Sequence, residues 1–239
     1  MRRIRLPVGR SLFFLLAFLF ALVALLPLGL AMRWLALDER GFAAREANGS
    51  IWLGALKEAQ FGSVALGDLE ARLRSLPLFI GRARTDVQRV GDSEALEGSI
   101  TVSRHAFGID DVSAALPLGP AFAPLPLASL DVADVSVHFA DGQCASADGL
   151  VKAGLSGDSG TAALPRGMSG RTRCDGGALL LPLAGQSGAE RLDIRLLASG
   201  SYRVELSLRP GDEATRQRLA AAGFVPAGPA FVLRTSGEF

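Results

Sequence analysis

The chain begins with a long apolar segment and continues with short segments in which apolar and polar residues alternate. The apolar segment, residues 12–32, has about 21 residues without a charge. As one helix it would be roughly 31 Å long, which matches a bilayer hydrocarbon core of about 30 Å. It predicts a single transmembrane signal anchor within residues 11–35, with Trp34 at the level of the lipid headgroups.

The charges on either side of this segment predict its orientation. The charged residues before it are all basic: Arg2, Arg3, Arg5 and Arg10. Those after it nearly cancel: Arg33, Asp38, Glu39 and Arg40. The positive-inside rule then predicts a cytoplasmic tail of residues 1–10 and an exported domain of residues 36–239. A cleaved signal peptide is the alternative, since Gly29 and Ala31 are small residues at cleavage spacing. The apolar region of a secretory signal peptide is, however, usually only about 7 to 15 residues long.

Alternation with period two predicts β-strands with one solvated face throughout the exported domain. It is clearest at residues 135–139, 191–196 and 202–208, and the short turn at 198–201 makes the last two a hairpin. Weaker strand candidates are residues 64–74, 79–87, 99–103, 178–183 and 230–235. The alternation changes phase around Gly67, which favours a bulge there.

One segment predicts a helix instead. Residues 212–222 are rich in helix formers, with Asp212 as the N-cap and Gly223 as a left-handed residue after the last turn, followed by Phe224 and a final strand. Residues 116–127 contain four prolines and predict a loop or an edge crossing, with a weak division of the domain there. Residues 154–167 predict a flexible connection. The expected fold is mainly β: a transmembrane helix followed by an antiparallel, curved β-sheet domain with one short late helix.

Charge and cysteine content narrow the classes of function. Without the four N-terminal arginines the chain has 21 basic and 24 acidic residues, a net charge of −3, which disfavours nucleic-acid binding. Cys144 and Cys174 both lie in the exported domain, where an oxidising compartment favours a disulfide worth roughly 3.5 kcal/mol. Two free buried thiols are the alternative. A metal site is disfavoured because His105 and His138 are scattered.

The residues give little sign of catalysis. Residues 157–160 resemble the nucleophile segment of trypsin-like proteases, but neither histidine lies in the sequence context of that family. The acidic pairs are expected at strand ends or turns: Asp110 with Asp111, and Asp131 with Asp134. His138 falls on the polar face of its strand and is expected to be exposed. Phosphate-binding, dinucleotide-binding and zinc-protease motifs are missing. We expect a protein that is not an enzyme and holds no cofactor.

Two stretches carry a resemblance to a known family. The first is Gly-Ser-Ile-Trp-Leu-Gly at residues 49–54, followed by residues 76–81; the second runs from residues 139–144 through the second cysteine to Gly223 and Phe224. Together they resemble the type II secretion system protein N family, which has a Gly-[Ser/Thr]-x-Trp-x-Gly motif soon after an anchor and a cysteine pair in its C-terminal half. Leu53 departs from that family, because a small or polar residue is more usual there.

The resemblance implies a single-pass protein of the bacterial inner membrane, with most of its chain in the periplasm. It also implies an accessory or scaffold role in the platform that exports folded proteins through an outer-membrane secretin. The implied partners are the other platform subunits, the secretin and the lipid around the anchor, without nucleic acid. The family has no catalytic residues to transfer.

The residues of the Trp motif have a simple physical interpretation. Trp52 would pack where the chain enters the sheet or contact a partner, and Gly49 and Gly54 would allow close approach of the backbone. The alternative function is an envelope lipid-handling protein similar to the AsmA-like proteins, which have a similar motif and an open apolar β-groove. A packed core and a lipid groove give the same alternation.

Overall fold

In the computed structural model, the apolar N-terminal segment forms two helices, α1 (Val8–Ala24) and α2 (Leu28–Trp34). The structure describes residues 8–39, 41–91, 96–118, 125, 127–155 and 167–238, and the side chains of α1 from residue 11 onward. Pro27 separates the helices because it has no N–H to donate and disfavours a helical conformation at Leu26. The predicted single transmembrane helix is therefore not confirmed. Of the helices in the described ranges, none has both the length and the apolar character that a membrane span requires.

The described residues after α2 form a single antiparallel sheet with two further helices. The helices are α3 (Ser75–Leu78) and α4 (Glu213–Ala221). The first eight strands are β1 (Phe42–Ala43), β2 (Glu46–Ser50), β3 (Leu53–Phe61), β4 (Val64–Arg74), β5 (Ala83–Arg89), β6 (Leu96–Val102), β7 (Ala106–Pro117) and β8 (Leu127–Ala140). The others are β9 (Gln143–Leu155), β10 (Gly167–Arg171), β11 (Arg173–Asp175), β12 (Ala178–Ala184), β13 (Glu190–Leu196), β14 (Ser201–Leu208), β15 (Val225–Ala227) and β16 (Ala230–Glu238).

Strands that are neighbours along the chain are mostly neighbours in the sheet. The order is β1-β3-β4-β5-β6-β7-β8-β9-β10-β12-β13-β14-β16-β15, with β2 also paired to β3 and β11 to β12. This confirms the predicted open antiparallel sheet and the one short helix late in the chain. That helix, α4, begins after Asp212, whose carboxylate accepts hydrogen bonds from the Thr215 N–H and hydroxyl at 2.7 and 2.9 Å. Gly223 follows it with a φ of 87°.

The clearly alternating segments all lie inside strands. Residues 135–139 belong to β8, and residues 191–196 and 202–208 form the predicted hairpin of β13 and β14, with Leu192 opposite Leu206. The register of β3 and β4 shifts on both sides of the pair formed by Ala59 and Gly67, where a bulge was expected.

Other boundaries differ from the predictions. Strand β5 begins at Ala83 rather than at residue 79, because Phe79–Gly81 continue the turn that α3 starts. Strand β7 extends through Pro117, which a strand tolerates at its end. The rest of the proline-rich segment, residues 119–124 and 126, lies outside the described residues, as do residues 156–166 of the predicted flexible connection.

The apolar face of the second half of the sheet is buried in one large core. Its members come from β8–β10, β12–β14 and the segment around α4: Val135, Val137, Phe139, Val151, Ala153, Leu155, Met168, Leu179, Leu181, Leu183, Leu192, Ile194, Val204, Leu206, Leu208, Leu219 and Phe224. Val64 of β4 belongs to the same cluster although β4 lies four strands from β8. The sheet therefore curves toward its apolar face.

A disulfide between Cys144 of β9 and Cys174 of β11 borders this core, with the two Cα atoms 5.5 Å apart and a sequence separation of 30. The first half of the sheet has a much smaller cluster, formed by Leu56, Ala59 and Leu69, against which Leu28 and Met32 of α2 pack.

Candidate functional site

The Trp motif joins the N-terminal helices to the sheet. The indole N–H of Trp52 donates a hydrogen bond to the Val23 carbonyl, 3.2 Å away in the last turn of α1. Carbonyls in the last turn of a helix have no partner within the helix, so the indole satisfies one of them. The Ile51 N–H donates to the Leu26 carbonyl at 3.0 Å, and Pro27 forms a bridge with Ser50. The connection between the helices is thus bonded to the turn between β2 and β3.

The two glycines of the motif are required by this arrangement. Gly49 has a φ of 86°, and a Cβ atom there would lie 2.5 Å from the Leu53 carbonyl oxygen. A Cβ atom on Gly54 would lie 2.4 Å from Cδ2 of Leu28 and 3.1 Å from the Ser50 carbonyl oxygen. The absence of a side chain at Gly54 therefore lets α2 pack directly on β3.

Beyond this junction, strands β4–β8 have one apolar face. It is covered by α2 at Leu69 and by the large core at Phe139. Between these two covers it is open, because Ile100, Val102 and Phe107 on β6 and β7 are 46%, 47% and 44% exposed. Phe107 stacks on Phe139 with ring centroids 5.1 Å apart, so the open strip is continuous with the core.

The opposite face of the same strands is charged. A groove of about 450 Å³ lies there, and the polar side chains that line it are Glu70, Arg72, Arg74, Arg84, Asp86, Gln88, Glu97, Ser99, Asp110, Asp111 and Asp134. Side chains of both charges are bonded across the strands: Arg74 donates to Asp86 at 2.6 Å, and Gln88 donates to Glu70 at 3.0 Å. A face with this chemistry suits a polar or charged segment of a partner rather than an acyl chain.

Asp110 is the centre of the most extensive hydrogen-bond network in the groove. Its carboxylate lies 2.9 Å from Nε2 of His138, accepts a bond from the Thr101 hydroxyl at 2.8 Å, and lies 4.0 Å from Nη1 of Arg84. Arg84 also donates to the buried Ser99 hydroxyl at 2.7 Å. Nε of Arg84 is buried without a hydrogen-bond partner and lies 3.9 Å from Oδ1 of Asp86. This network orders four neighbouring strands.

The acidic pairs therefore do not lie where the sequence analysis expected them. Asp110, Asp111, Asp131 and Asp134 are inside β7 and β8, not at strand ends. Asp111 and Asp134 have φ values of 53° and 49° where the register of these strands shifts. Aspartate tolerates a left-handed φ better than most residues, so these two mark bulges that the sequence did not distinguish from turns. His138 is half exposed, as its face predicted, but it is engaged with Asp110.

A second charged pair stands where the bulge in β3 faces β4. Lys57 donates to Asp68 at 2.8 Å, and the Glu58 N–H donates to the same carboxylate at 2.9 Å. These two bonds hold the pKa of Asp68 below its usual range, with the bond from Lys57 as the larger cause. The described residues contain no group of three or more histidine, cysteine, aspartate or glutamate side chains that could hold a metal ion.

A family model agrees with the features of this chain. The model for type II secretion system (T2SS), protein N, matches residues 40–233, more than half of the chain. The match begins just after α2 and ends within β16, so it covers the Trp motif, the charged groove and both cysteines. No curated protein and no solved structure matches the chain.

Proposed function

The chain belongs to the type II secretion system protein N family, and from that premise we propose that it is an accessory scaffold subunit in the inner membrane. In this proposal the N-terminal segment anchors the protein and the sheet lies in the periplasm. The sheet binds other platform subunits and the secretin, and it carries out no catalysis. The family match over residues 40–233 is the observation that carries the proposal.

The junction at the Trp motif supports a scaffold role. Leu12, Phe13, Phe14 and Leu16 of α1 are more than half exposed, which suits a helix whose surroundings are lipid. Because Trp52 and Gly54 bond and pack the helices against β2 and β3, the sheet would be held in a defined orientation at its anchor. A scaffold that brings partners together needs a defined orientation, which a loosely tethered domain would not have.

The sheet also offers two kinds of surface to partners. The charged groove on β4–β8 suits polar segments, and β15 is the last strand in the order of the sheet. Unpaired strand edges accept a further strand from a partner through backbone hydrogen bonds.

The proposal is tested by purifying the tagged full-length protein from native membranes after mild crosslinking. We expect the other type II secretion platform subunits to be recovered with it. Trp52→Phe is the matched variant, because it retains an aromatic ring but removes the bond to Val23, and recovery should decrease with it. The proposal fails if no secretion subunit is recovered and deletion of the gene leaves export unchanged.

The orientation in the membrane has its own test. Ser63 is exposed in the turn between β3 and β4, and the native cysteines are joined to each other, so Ser63→Cys adds a single reactive thiol. In intact cells with a permeabilised outer membrane, we expect an impermeant maleimide to label Cys at this position. Labelling that requires lysis of the inner membrane would contradict a periplasmic sheet.

An envelope lipid-handling protein is the second candidate, and one observation favours it. The open apolar strip at Ile100, Val102 and Phe107 continues into the core at Phe139, as a lipid groove would. Native mass spectrometry of the protein purified in a lipid-free detergent tests this function. A retained lipid that is lost in Val102→Ser would favour lipid handling, whereas absence of lipid would leave the scaffold role.

A further inference from the structure

We propose that the connection between β4 and β5, residues 75–82, inserts into the surface of the same bilayer that holds α1 and forms a second membrane contact. The proposal rests on the proposed membrane anchorage of the chain. Neither the family match nor the proposed anchor assigns a role to this connection.

The tip of this connection is strongly apolar and exposed. Leu76, Phe79 and Ile80 are 79%, 86% and 72% exposed. Large apolar side chains that are grouped on a surface mark a contact with a membrane or with another protein. Because α3 and the turn at Gly81 place all three on a short projection beyond the ends of β4 and β5, they cannot be covered by the sheet itself.

The base of the connection is basic. Residues 71–85 contain four arginines and no acidic residue: Arg72, Arg74, Arg82 and Arg84. Arg74 and Arg84 are near Asp86, whereas Arg82 is exposed directly after the apolar tip. An apolar tip above a basic collar is the pattern of segments that insert into the headgroup region of anionic membranes.

The register of the sheet places this connection at the end where α1 is attached. Gly54 pairs with Ala71, so the end of β4 lies beside the start of β3 and near Trp52, which bonds to α1. With adjacent strands about 4.8 Å apart, the connection is within roughly 15 Å of that junction. The turn at Ser63 lies at the other end of β4, about 36 Å away for a strand of this length.

The same end carries further matching features. Ala83 pairs with Val102, so the turn between β6 and β7 lies beside the connection and adds Arg104, which is exposed. Val102 is the last residue of β6 and Phe107 is the second residue of β7, and both are half exposed at this end of the sheet. The shared end with α1 and the basic collar favour lipid over a protein as the occupant.

The test places an environment-sensitive fluorophore at single cysteines in the full-length protein, reconstituted in vesicles of phosphatidylethanolamine and phosphatidylglycerol. The variants are Phe79→Cys at the tip, Ser63→Cys at the opposite end as the matched control, and Leu19→Cys in α1 as a reporter of anchorage. We expect a blue shift and quenching by spin-labelled lipid at positions 79 and 19, and aqueous emission at position 63. Replacing phosphatidylglycerol with a neutral lipid should reduce quenching at position 79 several-fold and leave position 19 unchanged.

The outcomes separate the proposal from its premise. Aqueous emission at position 79 with a membrane signal at position 19 overturns the second contact and leaves the anchor intact. Aqueous emission at both positions overturns the proposed anchorage as well. Shielding of position 79 that appears in native membranes but not in pure lipid also overturns the proposal, since a protein partner would then cover the loop.

Discussion

The two halves of the sheet are built from the same alternating strands but bury very different amounts of apolar surface. In β8–β14 the apolar face contributes to a core in which Val151, Leu192, Val204 and Leu206 are 0% exposed. In β3–β7 the same face buries Leu56, Ala59 and Leu69 under α2 and leaves Ile100, Val102 and Phe107 open. The second half is also crosslinked by the disulfide.

This difference separates stability from interaction. The second half has the buried area and the crosslink that a stable domain needs, whereas the first half retains uncovered surface of both kinds, charged on one face and apolar on the other. The first half is also the half to which the helices are joined. We infer that the second half stabilises the fold and that the first half makes most contacts with the membrane and with partners.

Equivalent truncations in the two cores should show the largest contrast. Leu206→Ala removes a fully buried side chain from the large core and should cost about 4 kcal/mol, whereas Leu69→Ala in the small cluster should cost about 2 kcal/mol. Urea unfolding of the full-length protein in mild detergent, followed by circular dichroism, measures both. Equal losses in the free energy of unfolding would show that the two halves of the sheet contribute equally to stability.

Removing the disulfide should lower the free energy of unfolding by nearly as much as Leu206→Ala does. A double variant, Cys144→Ala with Cys174→Ala, opens a loop of 30 residues and should cost roughly 3.5 kcal/mol. Unfolding with and without reductant gives the same quantity in the unmodified protein. If reduction left the unfolding midpoint unchanged, the contribution of the crosslink to this half would be negligible.

The groove network should matter less than either core. Asp110→Ala leaves His138, Thr101 and Arg84 without their shared acceptor and should cost about 2 kcal/mol. Asp131→Ala is the control, because Asp131 is exposed on β8 and its loss should be within about 0.5 kcal/mol. Losses of the same size for both variants would mean that the network does not order the first half.

The smallest effect should depend on pH. Burial raises the pKa of Asp193, and Arg191 opposes this in part. The folded state therefore holds the proton more tightly than the unfolded state, and stability falls as the pH rises from the ordinary value of 3.8 through the raised pKa. Asp193→Asn should melt at a higher temperature than the wild type at pH 7, with the difference closing below pH 3.8. A difference that is constant with pH would point to a cause other than ionisation.

The elements with strict alternation could be predicted because a half-buried strand leaves a clear pattern. Strands β13 and β14 have mainly charged residues on one face and mainly apolar residues on the other, and their hairpin followed directly from the sequence. Strand β9 was not predicted, because the first half of this strand consists mainly of small residues that are compatible with a strand, a turn or a loop. The helix α4 was visible through its cap, Asp212, rather than through a strong apolar face.

The candidate sites could be predicted only where a local motif encodes them. The Trp motif indicated packing where the chain enters the sheet or a contact with a partner, whereas its bond to α1 is seen only in the structure. The groove was missed because Asp110 and His138 are 28 residues apart in the sequence and meet only through the bulged pairing of β7 and β8. A possible signal was Gly108, where a Cβ atom would lie 2.7 Å from the His138 ring. The division of the apolar N-terminal segment at Pro27 was readable from that residue alone.

The order of pairing in the sheet has a consequence for how the chain reaches its native state. From β3 to β10 each strand pairs with the one made just before it, so the newest strand always finds its template already in place. Such local pairing favours rapid folding and exposes few unpaired edges at once. Beyond β10 the order departs from this rule twice: β12 pairs with β10 as well as with β11, and β16 pairs with β14 only after α4 and β15 have been made. Folding can therefore advance along the chain as it is synthesised, and the final step waits for the last nine-residue strand.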